Sequence, residues 1–502
     1  MVAYLELTSA ADLDAAAVRR ISAGLHVRLA QPLASIVQEQ CDKARAVLRS
    51  DVAVYGVNTG MGALSKVRLS DAEQQAHQRN LLLGRATGGP PWLAEADVRA
   101  IIAVRLRNFL SGDAAVSASL CQRLADFLAA RIVPAVPQDG AGSAGEIIQL
   151  AHCFGPLVGL GSVLRAAGDG VTPGDAGTPD DGGTPATAAL TRHGLAAYEL
   201  GPKEGIALLS GVPGATALSI LAGGEAETVS AMMTAAAGLS IAAIGAAIDP
   251  YTKACARGDD VLGDVLSSLR AIIEPAGQPR MLQAPVSFRV AGPALAQVRR
   301  ATDALAAAAD RAMTGVTDSP AFLDGRFVGT AGFHGIDLAA QCDQVTAAIT
   351  HAAEVAAARL HRLLDPAVTG LPAQLAVDPG PQAGLVAVHK RAAGEVHAMR
   401  RLALPTAIGL IETSGGQEDV QSFAWEAAVN LRSALRRCRA VAACEALGAF
   451  QALSLGGLPQ PAGRRALVDR LGALIKPIVA DRQFGADIEL LLSGSWTEQP
   501  DR

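Results

Sequence analysis

The chain has 502 residues, half of them hydrophobic, 18% charged and only 3% aromatic, with 52 Gly and 26 Pro. Such a composition buries a large core and excludes a disordered chain, a collagen and a small disulfide scaffold. Forty-three Lys and Arg against 48 Asp and Glu leave a net charge of -5, which offers no general attraction to nucleic acid or to an anionic membrane.

From the N-terminus, MVAYLELTSAADLDAAAVRR carries acids early and lacks a basic stretch followed by an apolar one, so no secretory leader and a cytoplasmic location are expected. The seven Cys, at 41, 121, 153, 255, 342, 438 and 444, form no CxxC pair and no zinc-like spacing. They read as reduced thiols, and no metal site is expected. Val54 to Gly62, VYGVNTGMG, places a Tyr before three glycines, a loop whose backbone turns tightly and approaches something closely. Pro134 to His152, PAVPQDGAGSAGEIIQLAH, is a Pro- and Gly-rich loop running straight into an apolar helix. No strand pattern precedes these glycines, so a dinucleotide fold fails its own context.

Residues 166–189, AAGDGVTPGDAGTPDDGGTPATAA, hold Gly, Asp, Thr and Pro with almost nothing to bury, and are expected to be a flexible surface loop. A division near residue 200 follows, with 1–200 as an N-terminal, loop-rich domain and 201–502 as a helical one. After KEGIALLSG at 203–211, five stretches carry a helical period: 214–248, 293–313, 338–365, 384–411 and 424–453. In the third, Leu338, Cys342, Val345, Ile349, Ala352 and Ala356 make one stripe, with Asp343, Arg359 and Arg362 off it. The uncharged run between Glu227 and Asp249 is Ala-, Gly- and Ser-rich, which suits close packing in a helical core better than lipid. Strand signals are almost absent. The expected fold is mainly α: a loop-rich N-terminal region, then a bundle of long antiparallel helices. Ala-rich stripes bury little area per residue, so a homo-oligomer is expected.

Three further segments stand between the helices: QAPVSFR at 283–289, TDSPAFLDGRFVGTAGFH at 317–334 and ETSGGQEDV at 412–420. Taken in order with the earlier ones, this series resembles the histidine and phenylalanine ammonia-lyase family, the aromatic amino acid lyases, from about residue 5 to about 455. The family's YGxNTGFG, NLxxSH, GSVGASGDLAPLAH, KEGLALxNGT, QDxYSxR, DNPxxxxxGxxxSGGNFH and NQEDHVS motifs have counterparts here, several of them altered. The resemblance implies a histidine ammonia-lyase-like or fumarase-aspartase-like bundle. It also implies a homotetramer whose active sites draw loops from several subunits.

Family chemistry depends on a methylidene-imidazolone, MIO, made from an Ala-Ser-Gly segment of the backbone, whose Ser loses its hydroxyl as water. Aligning EIIQLAH with DLAPLAH puts Ser143, Ala144 and Gly145 on those positions. The middle residue is Ala, which has no leaving group, so this degenerate loop is expected to carry no MIO and the protein no cofactor. The loop is one residue short upstream, and cyclisation of residues 142–144 from Ser143 is the alternative.

By the same resemblance Tyr55 matches the general base and Arg289 the residue that holds the substrate carboxylate. Gln283, Phe333, Gln417 and Glu418 match pocket positions. Against these, Ser210 stands for an Asn, Val286 for a Tyr, Arg85 for a His, Gly332 for an Asn and Val420 for a His. His152 and His334 read as structural. The expected catalytic set is Tyr55, Arg289 and Glu418, with Arg85, Ser210, Gln283, Phe333 and Gln417 binding substrate. A carboxylated small molecule would suit the fork of Arg289, and a cation beside Tyr55, either Arg85 or Arg289, would favour its phenolate. Three readings stay open: an enzyme abstracting a proton without MIO, a catalytically silent binding protein, and a conventional ammonia-lyase or aminomutase using Ser143.

Overall fold

Helix starts are written locally. Asp14 accepts from the Ala17 amide, Ser117 from Leu120, Asp259 from Leu262 and Asp365 from Ala367, each satisfying a first-turn donor that has no partner within its helix. The computed structural model describes residues 4–49, 52–164, 183–274, 277–409, 411–457 and 461–497. It is mainly helical, with the long-helix bundle expected from the sequence. The five periodic stretches form helices Pro213–Ala243, Ala291–Thr314, Ile336–Leu363, Val386–Leu402 and Ala424–Gly456. Three stop short of the expected ends, the third by only two residues and the first and fourth by more. Gly245 turns at φ +61 after the first, and Pro405 follows the fourth, where its ring and missing N–H oppose a continuing helix.

All six residues of the stripe on Ile336–Leu363 are buried, as its period requires. Arg359 departs from the expectation: off the stripe, it is nonetheless 2% exposed because Glu445 meets it bidentately, Nε at 2.6 Å and Nη2 at 2.8 Å. The helical stretch Glu204–Ala243 contains a window long and apolar enough to cross a membrane, but that window is 89% buried inside the protein. Strands are short and come in pairs. Tyr4–Leu7 runs parallel to His26–Leu29, and Ser162–Val163 and Ala321–Leu323 run antiparallel to Thr184–Pro185 and Arg326–Val328.

The low-complexity stretch at 166–189 lies outside the described residues as far as 182. Its last part is not a surface loop: Thr184–Pro185 is a strand, and helix Ala186–Arg192 buries Ala186, Ala189 and Leu190.

Two compact units make up the chain, each assembled from separate stretches. One comprises Met1–Leu221, Ala306–Cys342 and Pro405–Val429; the other comprises Ala222–Leu305, Asp343–Leu404 and Asn430–Arg502. In the first, helix Glu95–Leu110 is buried from Asp97 onward. Its polar residues reach distant carbonyls: Arg99 donates to Ile21 and Leu128, Asn108 to Met313, and Arg105 to Ser210. Buried donors spent this way tie the segments together, because leaving them unpaired in the core is costly.

The same unit buries a charged cluster. Lys203 pairs with Asp318; Asp113 lies close enough to feel both of these charges, and Arg105 feels both acids. Burial pushes Asp113 up to about 6, the neighbouring Asp318 charge adding to it and Lys203 opposing, and its Oδ1 has no partner among the described residues. Folding therefore favours the neutral acid. The stabilising contribution of this group is complete below the ordinary value of 3.8 and is lost as pH rises through about 6. Asp113→Asn should remove that slope, gaining up to about 3 kcal/mol over the native protein between pH 4 and 7. Urea unfolding midpoints at pH 4.5 and 7 test this, and equal pH dependence in both proteins would discard it.

Candidate functional site

The Tyr55 loop is held by its own side chains. Asn58 Oδ1 accepts from the Val54 amide at 2.7 Å and its Nδ2 donates to the Val52 carbonyl at 2.8 Å, while Thr59 Oγ1 accepts from Gly56 at 3.2 Å. Gly56 has φ +67, and a Cβ there would come within 2.3 Å of Ile206 Cδ1, so no other residue fits. Gln78, on helix Asp71–Leu83, donates to the Gly56 carbonyl and accepts from the Ile206 amide, both at 3.1 Å. Tyr55 itself is 37% exposed, and its phenol oxygen accepts from the Gly62 amide at 2.8 Å.

The second wall is the loop before helix Ile147–Phe154. Its register is locked by Glu146, whose carboxylate, though buried, accepts from the Gly214 and Ala215 amides at 2.7 and 2.6 Å. Burial pushes Glu146 up to about 7, the two amides and Arg105 opposing. Farther back, Trp425 Nε1 donates to the Gln138 carbonyl at 2.7 Å. Between these anchors, Ser143 Oγ donates to the Gly145 carbonyl at 2.9 Å and accepts from the Ile147 amide at 3.3 Å. The Ala144 amide donates to Glu418 Oε2 at 2.8 Å.

Glu418 arrives on a third loop, turned by Ser414, Gly415 and Gly416 at positive φ and closed by Thr413 N donating to the Glu418 carbonyl at 2.9 Å. Its other carboxylate oxygen accepts from Ser414 Oγ at 2.9 Å. The three loops enclose a cavity of about 370 Å³ lined by Tyr55, Met61, Gly62, Arg85, Gly142, Ser143, Ile147, Ile148, Thr413, Ser414 and Glu418. Arg85 is its cation. The guanidinium makes only long contacts, to the Leu81 carbonyl at 3.4 Å and Met61 Sδ at 3.7 Å, and among the described residues it has no ion pair. Burial lowers its pKa, with the Tyr55 phenol and the Glu418 carboxylate acting the other way. It is half-buried and has donors to spare, the chemistry that an anion would require of a cation here.

Of the residues singled out from the sequence, Tyr55, Arg85, Ser143 and Glu418 line this cavity together. Ala144 and Gly145 sit in its wall loop, and a Cβ on Gly145 would lie 3.5 Å from the carbonyls of Gly211 and Phe333. The others do not line it. Ser210 is spent in the framework, its Oγ accepting from the Ser319 amide at 2.7 Å. Phe333 is half-buried and Gln417 is exposed. Gln283, exposed, and Arg289 belong to the second unit, where Arg289 Nε donates to the Ala284 carbonyl at 2.9 Å. His152 Nε2 accepts from the Gly88 amide at 3.0 Å, a structural contact. Among the described residues no cluster of His, Cys, Asp and Glu could hold a metal.

Sequence reading missed Glu146, Ser414 and the Lys203–Asp318 pair. For Glu146 a signal existed, an acid directly before an apolar helix. For the others none did, because a lone Ser or Lys in a loop has no periodicity to betray its partner.

Comparison with known proteins agrees with the helical fold. The model of the family described as aromatic amino acid lyase matches residues 13–473. The chain is 31% identical to the histidine ammonia-lyase of Geobacillus thermodenitrificans over 491 residues, covering 93% of each chain. It is 32% identical to that of Streptomyces coelicolor, covering 95% of this chain and 93% of the relative. Among solved structures, tyrosine aminomutase from Streptomyces globisporus superposes with a TM-score of 0.87 at 26% identity, over 95% of this chain and 94% of that one. Ergothionase from Treponema denticola shares the fold at a TM-score of 0.88 and 22% identity, over 97% and 98%.

Proposed function

The chain belongs to the aromatic amino acid lyase family, and from that premise we propose that it is an enzyme of the family that works without MIO. Its reaction is proton abstraction, leading to elimination, isomerisation or cyclisation, on a carboxylated, amino-acid-derived small molecule. The observation that carries the reading is the wall loop. With Glu146 anchoring the register, the position that would supply the methylidene is Ala144, whose amide is engaged by Glu418 and whose methyl has no group to lose. The neighbouring Ser143 hydroxyl is occupied by the Gly145 carbonyl and the Ile147 amide. These residues do not fit the group, and no step is routed through it.

What remains must act on a substrate with a more acidic C–H or a better leaving group than an aromatic amino acid offers, since without the electrophile little offsets the cost of removing a weakly acidic β-proton. Tyr55 takes the proton on its phenol oxygen, toward which the Gly62 amide points, with Arg85 lining the same cavity. Glu418 holds the wall loop through the Ala144 amide, is itself steadied by Ser414 of its own loop, and presents the remaining lone pairs to the ligand. Arg85 and Arg289 are the carboxylate-binding cations, Arg289 reaching the site from another subunit of a homotetramer in the way the family's shared sites imply. Gln283, Gln417 and Phe333 complete the pocket in that assembly, and the protein works in the cytoplasm.

The histidine ammonia-lyases at 31 and 32% identity favour a second reading, a conventional ammonia-lyase with its electrophile made from residues 142–144. Intact mass separates the two. The unmodified mass is expected; a loss of two waters mapped by peptide analysis to 142–145 would replace the proposal with the conventional enzyme.

A further inference from the structure

The second unit contains a network that the chemistry above does not use. Arg359 and Glu445 form a bidentate pair, 2% and 0% exposed at their side chains, and Ser240 Oγ donates to the same carboxylate at 2.8 Å. Arg359 has one guanidinium nitrogen left over. Its Nη1 reaches the carbonyl of Ser287 at 3.2 Å, and the phenol of Tyr251, itself fully buried, donates to the next carbonyl, Phe288, at 2.8 Å.

Those two carbonyls belong to the four-residue helix Val286–Arg289, too short to satisfy its last carbonyls from within, and among the described residues the only backbone amide reaching them is that of Val290, which meets Phe288 and Val286. The residue that follows them is Arg289. Its Nε is tied back to the Ala284 carbonyl, while Nη1 and Nη2 make no hydrogen bond among the described residues, so that edge of the fork is unspent. At the other end of the segment, the Arg280 amide donates to the Gly245 carbonyl at 3.0 Å and its guanidinium to the Thr369 carbonyl. Between the two fastenings the tip is free, with Leu282 95% exposed. The strap is thus fastened at both ends, and at the end that carries Arg289 the fastening comes from buried side chains.

We propose that Tyr251 and Arg359 are positioning residues for Arg289, clamping the Ser287 and Phe288 carbonyls so that its free guanidinium edge is preset for a carboxylate. This rests on the reading of Arg289 as the carboxylate anchor. A buried ion pair that served only the bundle would have no need to spend a donor on this turn, and the adjacent phenol reaching the adjacent carbonyl makes a two-point grip. Presetting matters because a mobile arginine loses rotamer and backbone freedom on binding, and that loss comes out of affinity.

The test uses the full-length protein with trans-cinnamate as a carboxylate probe and trans-cinnamamide as its neutral counterpart, alongside amide hydrogen exchange at residues 286–290. Tyr251→Phe removes one hydroxyl and leaves the ring. Arg359→Lys keeps a cation for Glu445 and drops the donor to Ser287. Each is expected to speed exchange at 288–290 and to weaken cinnamate binding by about tenfold, with cinnamamide binding unchanged. Unchanged exchange and unchanged cinnamate affinity in both variants would overturn the clamp, as would equal losses for acid and amide. Arg289→Ala separates the two ideas. If it weakens cinnamate binding while Tyr251→Phe and Arg359→Lys do not, the positioning role fails alone; if it leaves cinnamate binding untouched, the anchor reading fails and takes the clamp with it.

Discussion

Tyr55→Phe is expected to lower turnover by about a hundredfold or more, the loss typical of a positioned general base, while oligomeric state and thermal stability stay as they are. The ring keeps its packing; only the oxygen goes. That oxygen makes one hydrogen bond, accepted from the Gly62 amide at 2.8 Å. The loop does not depend on it, because Asn58, Thr59 and Gln78 hold the backbone on their own. Steady-state kinetics with size-exclusion chromatography and a thermal melt make the test. Retained turnover would remove Tyr55 from the mechanism, and lost turnover with a collapsed assembly would make it structural.

Lys203→Met is expected to cost about 3–5 kcal/mol of stability, because it breaks a buried ion pair from one side only. Lys203 and Asp318 are 1% and 4% exposed at their side chains, so the methionine would fill the space but leave a carboxylate buried without its partner. Asp318 is already under strain of this kind: burial raises its pKa, with Lys203 and Arg105 pulling the other way. Arg105 is itself incompletely matched, since its Nε and Nη1 have no partner among the described residues. Denaturant unfolding at pH 7 measures the loss. A change below about 1 kcal/mol would mean that Arg105 turns to Asp318 and takes over as counter-ion.

The site was partly legible for a chemical reason. Tyr55, the glycines beside it, Ser143 and Glu418 sit in loops rich in Gly and Pro, and such loops announce themselves in a chain that is otherwise helical. That Ala144 stands where a hydroxyl is needed is a matter of composition and register alone. What could not be read was which polar side chains face the cavity and which are consumed by the framework. Ser210 and Arg85 looked alike as substitutions at pocket positions. One turned out to hold the Ser319 amide, while the other makes only long contacts and lines the cavity.

By itself the sequence determined the helical class, the five long helices, the buried stripe of Ile336–Leu363 and the chemistry available at each loop, because periodicity, caps and glycine act over a few residues. Only the tertiary structure decided that Arg359 is a core residue rather than a surface one, that Glu146 caps a helix 68 residues away, and that Arg85, Tyr55 and Glu418 share one cavity. Those outcomes rest on burial and on partners far along the chain, and the energy of a buried charge depends on what it meets there.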